Sequence, residues 1–241
     1  MSRPLPASVR RVLFPHRGLK EIHTGRDFER LINFSDAVVA VAITVLVLAI
    51  VDIQPAEGEP TVWKIIADNS GQIFTFFFTF LVVGIMWLAH NRVLNQLRGF
   101  DGLTFWLNLL WLAGIAFLPW PSSMYGEEFG WGNADTLEHG GGTSVLYWGT
   151  LAFISALAFL IAWHARHTPA LLEPKAREAL AGSGDRGQYR GLVFAGLFML
   201  IALVSAYSQE VASWMPFLLI PASVLMRSPS ALNDLVENSD S

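Results

Sequence analysis

With 241 residues, 53% of them hydrophobic and 15% charged, and a mean hydropathy of +0.43, the chain carries more apolar surface than a soluble core absorbs and falls in the membrane class. The absence of cysteine excludes disulfides, thiolate metal sites and thiol nucleophiles. The formal net charge of −4 is unevenly spread, and its distribution is the informative part.

Residues 1–29 are polar and basic, with Arg3, Arg10, Arg11, Arg17, Lys20 and Arg26. They hold no apolar core followed by a small-residue cleavage site, so they do not read as a secretory signal peptide. The expectation is a basic cytoplasmic segment drawn to lipid headgroups, with no nucleic acid as partner. Thr24 and Asp27 have the spacing of a helix cap.

From Arg30 to Ile53 runs an apolar stretch, uncharged between Ala37 and Val51, whose length of about 20 residues covers roughly 30 Å of hydrocarbon and predicts a first membrane-spanning helix. Its entrance carries Arg30, Ser35 and Asp36. An acid at that depth is costly and faces protein or water with a partner. Arg30 and Asp36 lie about 120° apart on a helix, which disfavours a direct pair and points Asp36 at another helix. Val41, Val45 and Leu48, at intervals of four and three, form one narrow apolar stripe, about 140° from Asp36 at its Val41 end.

Asp52 to Ser70, with Pro55, Gly58 and Pro60, reads as an external loop. Gln72 to Ala89 is the second span, rich in phenylalanine that serves packing rather than a ligand cage, and it closes on Trp87, His90, Asn91 and Arg92. A turn at Arg98 to Gly102 leads to the third span, about Leu103 to Pro121, in which Asn108 is expected to anchor a neighbouring helix through hydrogen bonds. Ser122 to Thr143 is acidic and glycine-rich and reads as a second external loop. A fourth span covers about Ser144 to Trp163. A basic connection follows with a short amphipathic piece, Pro174–Leu180, then a fifth span from Gly191 to Tyr207 and a sixth, Val211 to Met226, interrupted by Pro216 and Pro221.

The membrane domain is therefore read as 30–227, between the basic segment 1–29 and a polar tail 228–241. Fifteen of the 16 lysines and arginines fall before or within Arg30, in the turn between spans two and three, in the connection between spans four and five, or after span six. Only Lys64 lies on the other side. Six spans with both termini cytoplasmic satisfy this asymmetry.

Motifs for chemistry are few. Gly182 to Gly187 spells G-x-G-x-x-G but lies in a loop outside any α/β unit, so no dinucleotide is expected. His164 and His167 are three apart at a helix end, where a surface role outweighs a metal site. No enzyme, cofactor or metal is indicated. Asp36 and His90 both fall near the cytoplasmic ends of adjacent spans; together they would form either the proton relay of a secondary transporter or a lock between helices. A non-conducting membrane scaffold is the remaining alternative.

Arg30-x-x-x-Phe34-Ser35-Asp36 ahead of an apolar helix resembles the signature of the transmembrane protein 175 family, lysosomal and prokaryotic potassium channels with a fold unlike the usual potassium-channel fold. Trp87-x-x-His90-Asn91, Asn108-Leu-Leu-Trp111 and Phe117-Leu-Pro119 extend the likeness over about residues 26–125. The resemblance implies an all-α membrane protein of six spans per chain, its pore lined by the first helix. It implies a potassium-selective, leak-type channel of the bacterial cell membrane, with potassium as the permeant ion and a homotetramer around the pore. It places Val41, Val45 and Leu48 at the apolar constriction and Thr44 as a hydroxyl beside the ion. Arg30, Phe34, Ser35, Asp36, His90, Asn108 and Trp111 become the family motif that organises helix packing. Isoleucine is commoner in the family where this chain has Val41, and the smaller side chain widens that layer. No T-V-G-Y-G carbonyl filter is present, and rings of apolar side chains gate by dewetting.

Overall fold

The computed structural model describes residues 21–51, 53, 61–128, 141–182 and 190–207. Its main elements are helices α1 (Arg26–Val45), α2 (Leu48–Val51), α3 (Val62–Asp68), α4 (Ser70–Leu94), α5 (Gly102–Phe117), α6 (Pro119–Glu128), α7 (Gly141–His167), α8 (Pro174–Gly182) and α9 (Arg190–Tyr207). Two-residue strands β1 (His23–Thr24) and β2 (Gly99–Phe100) pair antiparallel, His23 opposite Phe100 and Thr24 opposite Gly99.

Among the described residues, four helical runs are long and apolar enough to cross a membrane: Arg26–Val51, Ser70–Leu94, Gly102–Glu127 and Gly142–His167. They correspond to the first four expected spans; where the fifth was expected lies α9, whose apolar part, Leu192–Tyr207, is shorter than these four. The sixth, Val211 to Met226, lies outside the described residues, as does most of the Gly182 to Gly187 stretch. α9 lies along α7, α6 against α4, and α5 against α7, while α1 packs on α5 and α4. The main core gathers Val39 and Ala42 of α1, Val83 of α4, Trp111 and Ile115 of α5, and Trp148, Leu151 and Ile154 of α7. Gly114 permits the close approach of α5 to α7, since a Cβ there would lie 2.7 Å from Ile154 Cγ1. Towards the far end from the strands, Thr79 on α4, Ser122 on α6 and Tyr147 on α7 share hydrogen bonds through the Thr79 hydroxyl, at 3.1 Å to Ser122 and 2.7 Å to Tyr147.

Four local expectations are corrected. Thr24 does not cap the first helix: it belongs to β1, and the cap position is Gly25, whose φ of 61° is a left-handed conformation that glycine adopts freely. The first span is not one continuous helix, because α1 stops at Val45 and resumes as α2 after Leu46 and Val47. There the Thr44 hydroxyl donates to the Val41 carbonyl at 2.7 Å, competing for an acceptor the helix ladder uses. The amides of Val47, Ala49 and Ile50 bond three residues back, the tighter 3₁₀ pattern. The stretch from Asp52 to Ser70 contains a helix, α3, steadied by Lys64–Asp68 one turn apart at 2.8 Å. Finally, the third span does not end at Pro121. Pro119 is the first residue of α6, where its missing N–H was needed by no bond, so the run continues to Glu128.

At one end of the bundle, the chain before α1, the turn after α4 and the connection after α7 are laced together. Beside the β1–β2 pair, the Arg98 amide donates to Leu171 O and the Glu173 amide to Gln96 O, both at 2.9 Å. Phe28, Leu31, Leu94, Leu97, Ala165, Leu171 and Leu172 form a second apolar cluster beneath these strands. Gly99 is required here, because a Cβ would stand 2.4 Å from the His23 carbonyl oxygen.

Candidate functional site

α1 has two faces of different chemistry. Leu31, Ser35, Val39, Ala42 and, just beyond the helix, Leu46 recur at intervals of four, four, three and four and are buried, so this stripe holds α1 to the other helices of the chain. The opposite side carries Phe34, Val41, Thr44, Val45 and Leu48, all exposed, with Val41 at 62% and Leu48 at 56%. Exposure alone does not single this face out, since Phe77, Leu81 and Ile85 of α4 are as exposed. What distinguishes it, past Phe34 at the entrance, is slender aliphatic side chains around one hydroxyl. Thr44 gives its hydrogen to the Val41 carbonyl, so its oxygen lone pairs are left to face outward. Leu48 stands beyond the break in the helix, on a turn separate from Val41 and Val45.

The buried face is fixed by a directional hydrogen-bond chain. The Ser35 hydroxyl donates to Leu31 O at 2.9 Å, which leaves its oxygen to accept from Asn108 Nδ2, also at 2.9 Å. Asn108 Oδ1 then accepts from His90 Nε2–H at 2.8 Å. The order of donors places the imidazole hydrogen on Nε2. The His90 ring lies flat on Trp111, centroids 3.9 Å apart and planes within 6°. Ser35, His90, Asn108 and Trp111 are all at most 2% exposed. Three helices, α1, α4 and α5, thus meet on one polar line in an apolar interior. Interhelical bonds of this kind contribute on the order of 0.6–2 kcal/mol each.

Asp36 sits one position round α1 and accepts from Trp87 Nε1 at 2.7 Å. The structure therefore places the two residues of the relay reading on different partners, Asp36 on Trp87 and His90 on Asn108. Trp87 is the residue whose role the spacing did not reveal. Its signal was available, because Trp87 and His90 are three apart and share a face of α4. Arg30 and Phe34 are exposed on α1.

A second anchor lies at the strand-bearing end. Asp101 caps α5 through one carboxylate oxygen, which accepts from the amide and hydroxyl of Thr104, both at 2.8 Å. Its other oxygen accepts from His164 Nε2 of α7 at 2.8 Å. His164 is thus committed to a helix lock, and His167 turns its Nδ1 to the Trp163 carbonyl. No cluster of three or more metal-ligating side chains occurs among the described residues. The signal for this anchor was an Asp three residues ahead of a Thr at a helix start.

Burial by itself pushes the Asp101 carboxyl up, but the Thr104 bonds and His164 outweigh it and hold the group below the usual carboxylate value. A carboxyl whose folded pKa is depressed contributes stability that is present above its unfolded pKa and lost as pH falls through the folded one. The melting temperature should accordingly drop as pH is lowered below the usual carboxylate range. In Asp101→Asn this part of the fall should be missing, and the two proteins should converge in acid. Parallel melting curves for the two at every pH would remove Asp101 from the pH dependence.

Comparison with known proteins bears on the same residues. The model of the family described as endosomal/lysosomal potassium channel TMEM175 matches residues 30–119, the stretch holding Asp36, His90, Asn108 and Trp111. A protein of Streptomyces collinus named as a potassium channel is 32% identical over 147 residues, which is 61% of this chain and 68% of that protein. The human protein named endosomal/lysosomal proton channel TMEM175 is 26% identical over 171 residues, covering 70% of this chain but only 32% of the human one. The crystal structure of a lysosomal potassium-selective channel TMEM175 homolog from Chamaesiphon minutus superposes with a TM-score of 0.64 at 20% identity, over 85% of this chain and 100% of that one. That likeness is one of fold.

Proposed function

We propose, since the chain belongs to the TMEM175 family of ion channels, that it conducts potassium through a pore lined by the exposed face of α1. The family consists of channels, not enzymes, and the chain is a multi-pass membrane protein of that family. The observation that carries the finer reading is the division of α1: one face bound to α4 and α5, the other apolar, exposed and bearing the Thr44 oxygen.

One helix cannot enclose a path, so several copies must turn this face to a common axis. The family resemblance argues for four. Each copy has six spans, residues 30–227, between the segment 1–29 and the tail 228–241, with both termini on the cytoplasmic side of the cell membrane by the distribution of basic residues. The laced strands then lie at the cytoplasmic end of the bundle. Val41, Val45 and Leu48 form successive apolar layers that stay dry when narrow and admit the ion when wet. Thr44 supplies the hydroxyl oxygen to which a partly dehydrated potassium ion is drawn. Ser35, Asp36, His90, Asn108 and Trp111 set the rotation of α1, so that the stripe and not the polar line faces the axis. Arg30 and Phe34 complete the motif at the entrance.

Proton conduction is the second reading, and the observation that favours it is the name of the human relative. Liposomes holding the purified protein separate the readings. With a potassium gradient and no pH gradient, potassium should flow until the voltage nears the potassium equilibrium value. Voltage that follows an imposed pH gradient and ignores potassium would overturn the proposal in favour of proton conduction. Saturable flux of potassium strictly coupled to protons would point to a secondary transporter instead.

A further inference from the structure

Two buried polar atoms of the anchor meet no protein group: Nδ1 of His90 and Nε1 of Trp111. They are chemically complementary. With the His90 hydrogen on Nε2, Nδ1 is a bare acceptor, whereas the indole Nε1–H is a donor and nothing else. The side chains carrying them are 2% and 0% exposed. Leaving either atom unpaired in an apolar interior is costly, so a donor and an acceptor orphaned on two stacked rings call for a common partner.

We propose that a single water molecule is bound between His90 and Trp111, accepting from Trp111 Nε1–H and donating to His90 Nδ1. The stack sets the geometry. Two rings parallel within 6° with centroids 3.9 Å apart keep an edge nitrogen of one within about 5–6 Å of an edge nitrogen of the other. The Nε1–H bond and the Nδ1 lone pair lie in their ring planes, so with both nitrogens on one edge of the stack a single water off that edge bonds to each at about 2.8–3.0 Å. A buried water needs about two to four polar partners, and these two atoms supply the minimum with the correct polarity. The water closes the hydrogen-bond chain that begins at Leu31 O, so every polar atom along it is satisfied. The assignment is independent of which ion the channel conducts.

The test is a map of the full-length protein in lipid, at a resolution that shows ordered waters, together with the proton spectrum of the Trp111 indole. The expected results are water density within hydrogen-bond distance of both nitrogens and a magnetisation-transfer peak between water and the Trp111 indole proton. That peak should vanish in His90→Phe, which keeps a ring on the stack but removes the acceptor. Density should be lost in Trp111→Phe. Absence of density in the wild-type protein, with other buried waters visible, would overturn the proposal even if neither variant folds. A His90 ring turned to present Nδ1 to Asn108 would overturn it equally.

Discussion

Replacing Asn108 by leucine should destabilise the folded protein by about 1–3 kcal/mol, read as a lower melting temperature and loss of assembled protein in mild detergent. Leucine fills the space, so lost hydrogen bonding, not a cavity, produces the effect. The substitution strips the acceptor from His90 Nε2–H and the donor from Ser35 Oγ, and neither atom can reach water at its depth. Ser35→Ala should be milder, since it removes a hydroxyl that also satisfies itself on its own helix. A leucine variant as stable as the wild type would mean that apolar packing alone holds α1 to α5.

Val45→Asn and Leu48→Asn should have the opposite kind of effect, normal assembly with raised leak. An amide in the apolar layer holds water, and lowering the barrier by only about 1.4 kcal/mol raises the rate tenfold. Conductance should therefore rise about tenfold or more in single-channel or liposome recordings. The two positions need not respond alike. Val45 ends α1, whereas Leu48 follows the break at Leu46 and Val47 and opens α2, which packs against α4 and α6 and not on the polar line that holds α1. Unchanged currents in assembled variants would take both residues out of the constriction.

Much of the architecture was legible because membrane spans announce themselves by apolar run length, a property that needs no tertiary information. The first four spans follow from it, with α9 as a shorter apolar helix where the fifth was expected, whereas the buried stripe of α1 went unread because attention fell on Val41, Val45 and Leu48. What else escaped reading depends on contacts far apart in sequence. β1 and β2 are two residues each, too short for any alternation pattern, and exist because Gly99 lets the His23 backbone approach. The extension past Pro119 turned on whether that proline opens a helix or closes one, a distinction local composition does not make. The partner of Asp36 was open for a similar reason. Helical geometry disfavoured Arg30, but only packing chooses between Trp87 and His90, two residues one turn apart on α4. The break after Val45 sits where the Thr44 hydroxyl bonds to the Val41 carbonyl and the amides from Val47 turn to bonds three residues back, local geometry that a hydropathy pattern does not register.

The chain contains no cysteine, which makes the most direct test of the account a clean one. Single substitutions Val41→Cys, Val45→Cys and Leu48→Cys, with Phe77→Cys on the exposed face of α4 as comparison, would be treated with a charged thiol reagent during current recording. If the exposed face of α1 lines the pore, current through the three α1 variants falls irreversibly, while the Phe77 variant is untouched. Block at Phe77 with none at Val45 or Leu48 would contradict the account and move the ion path to another helix.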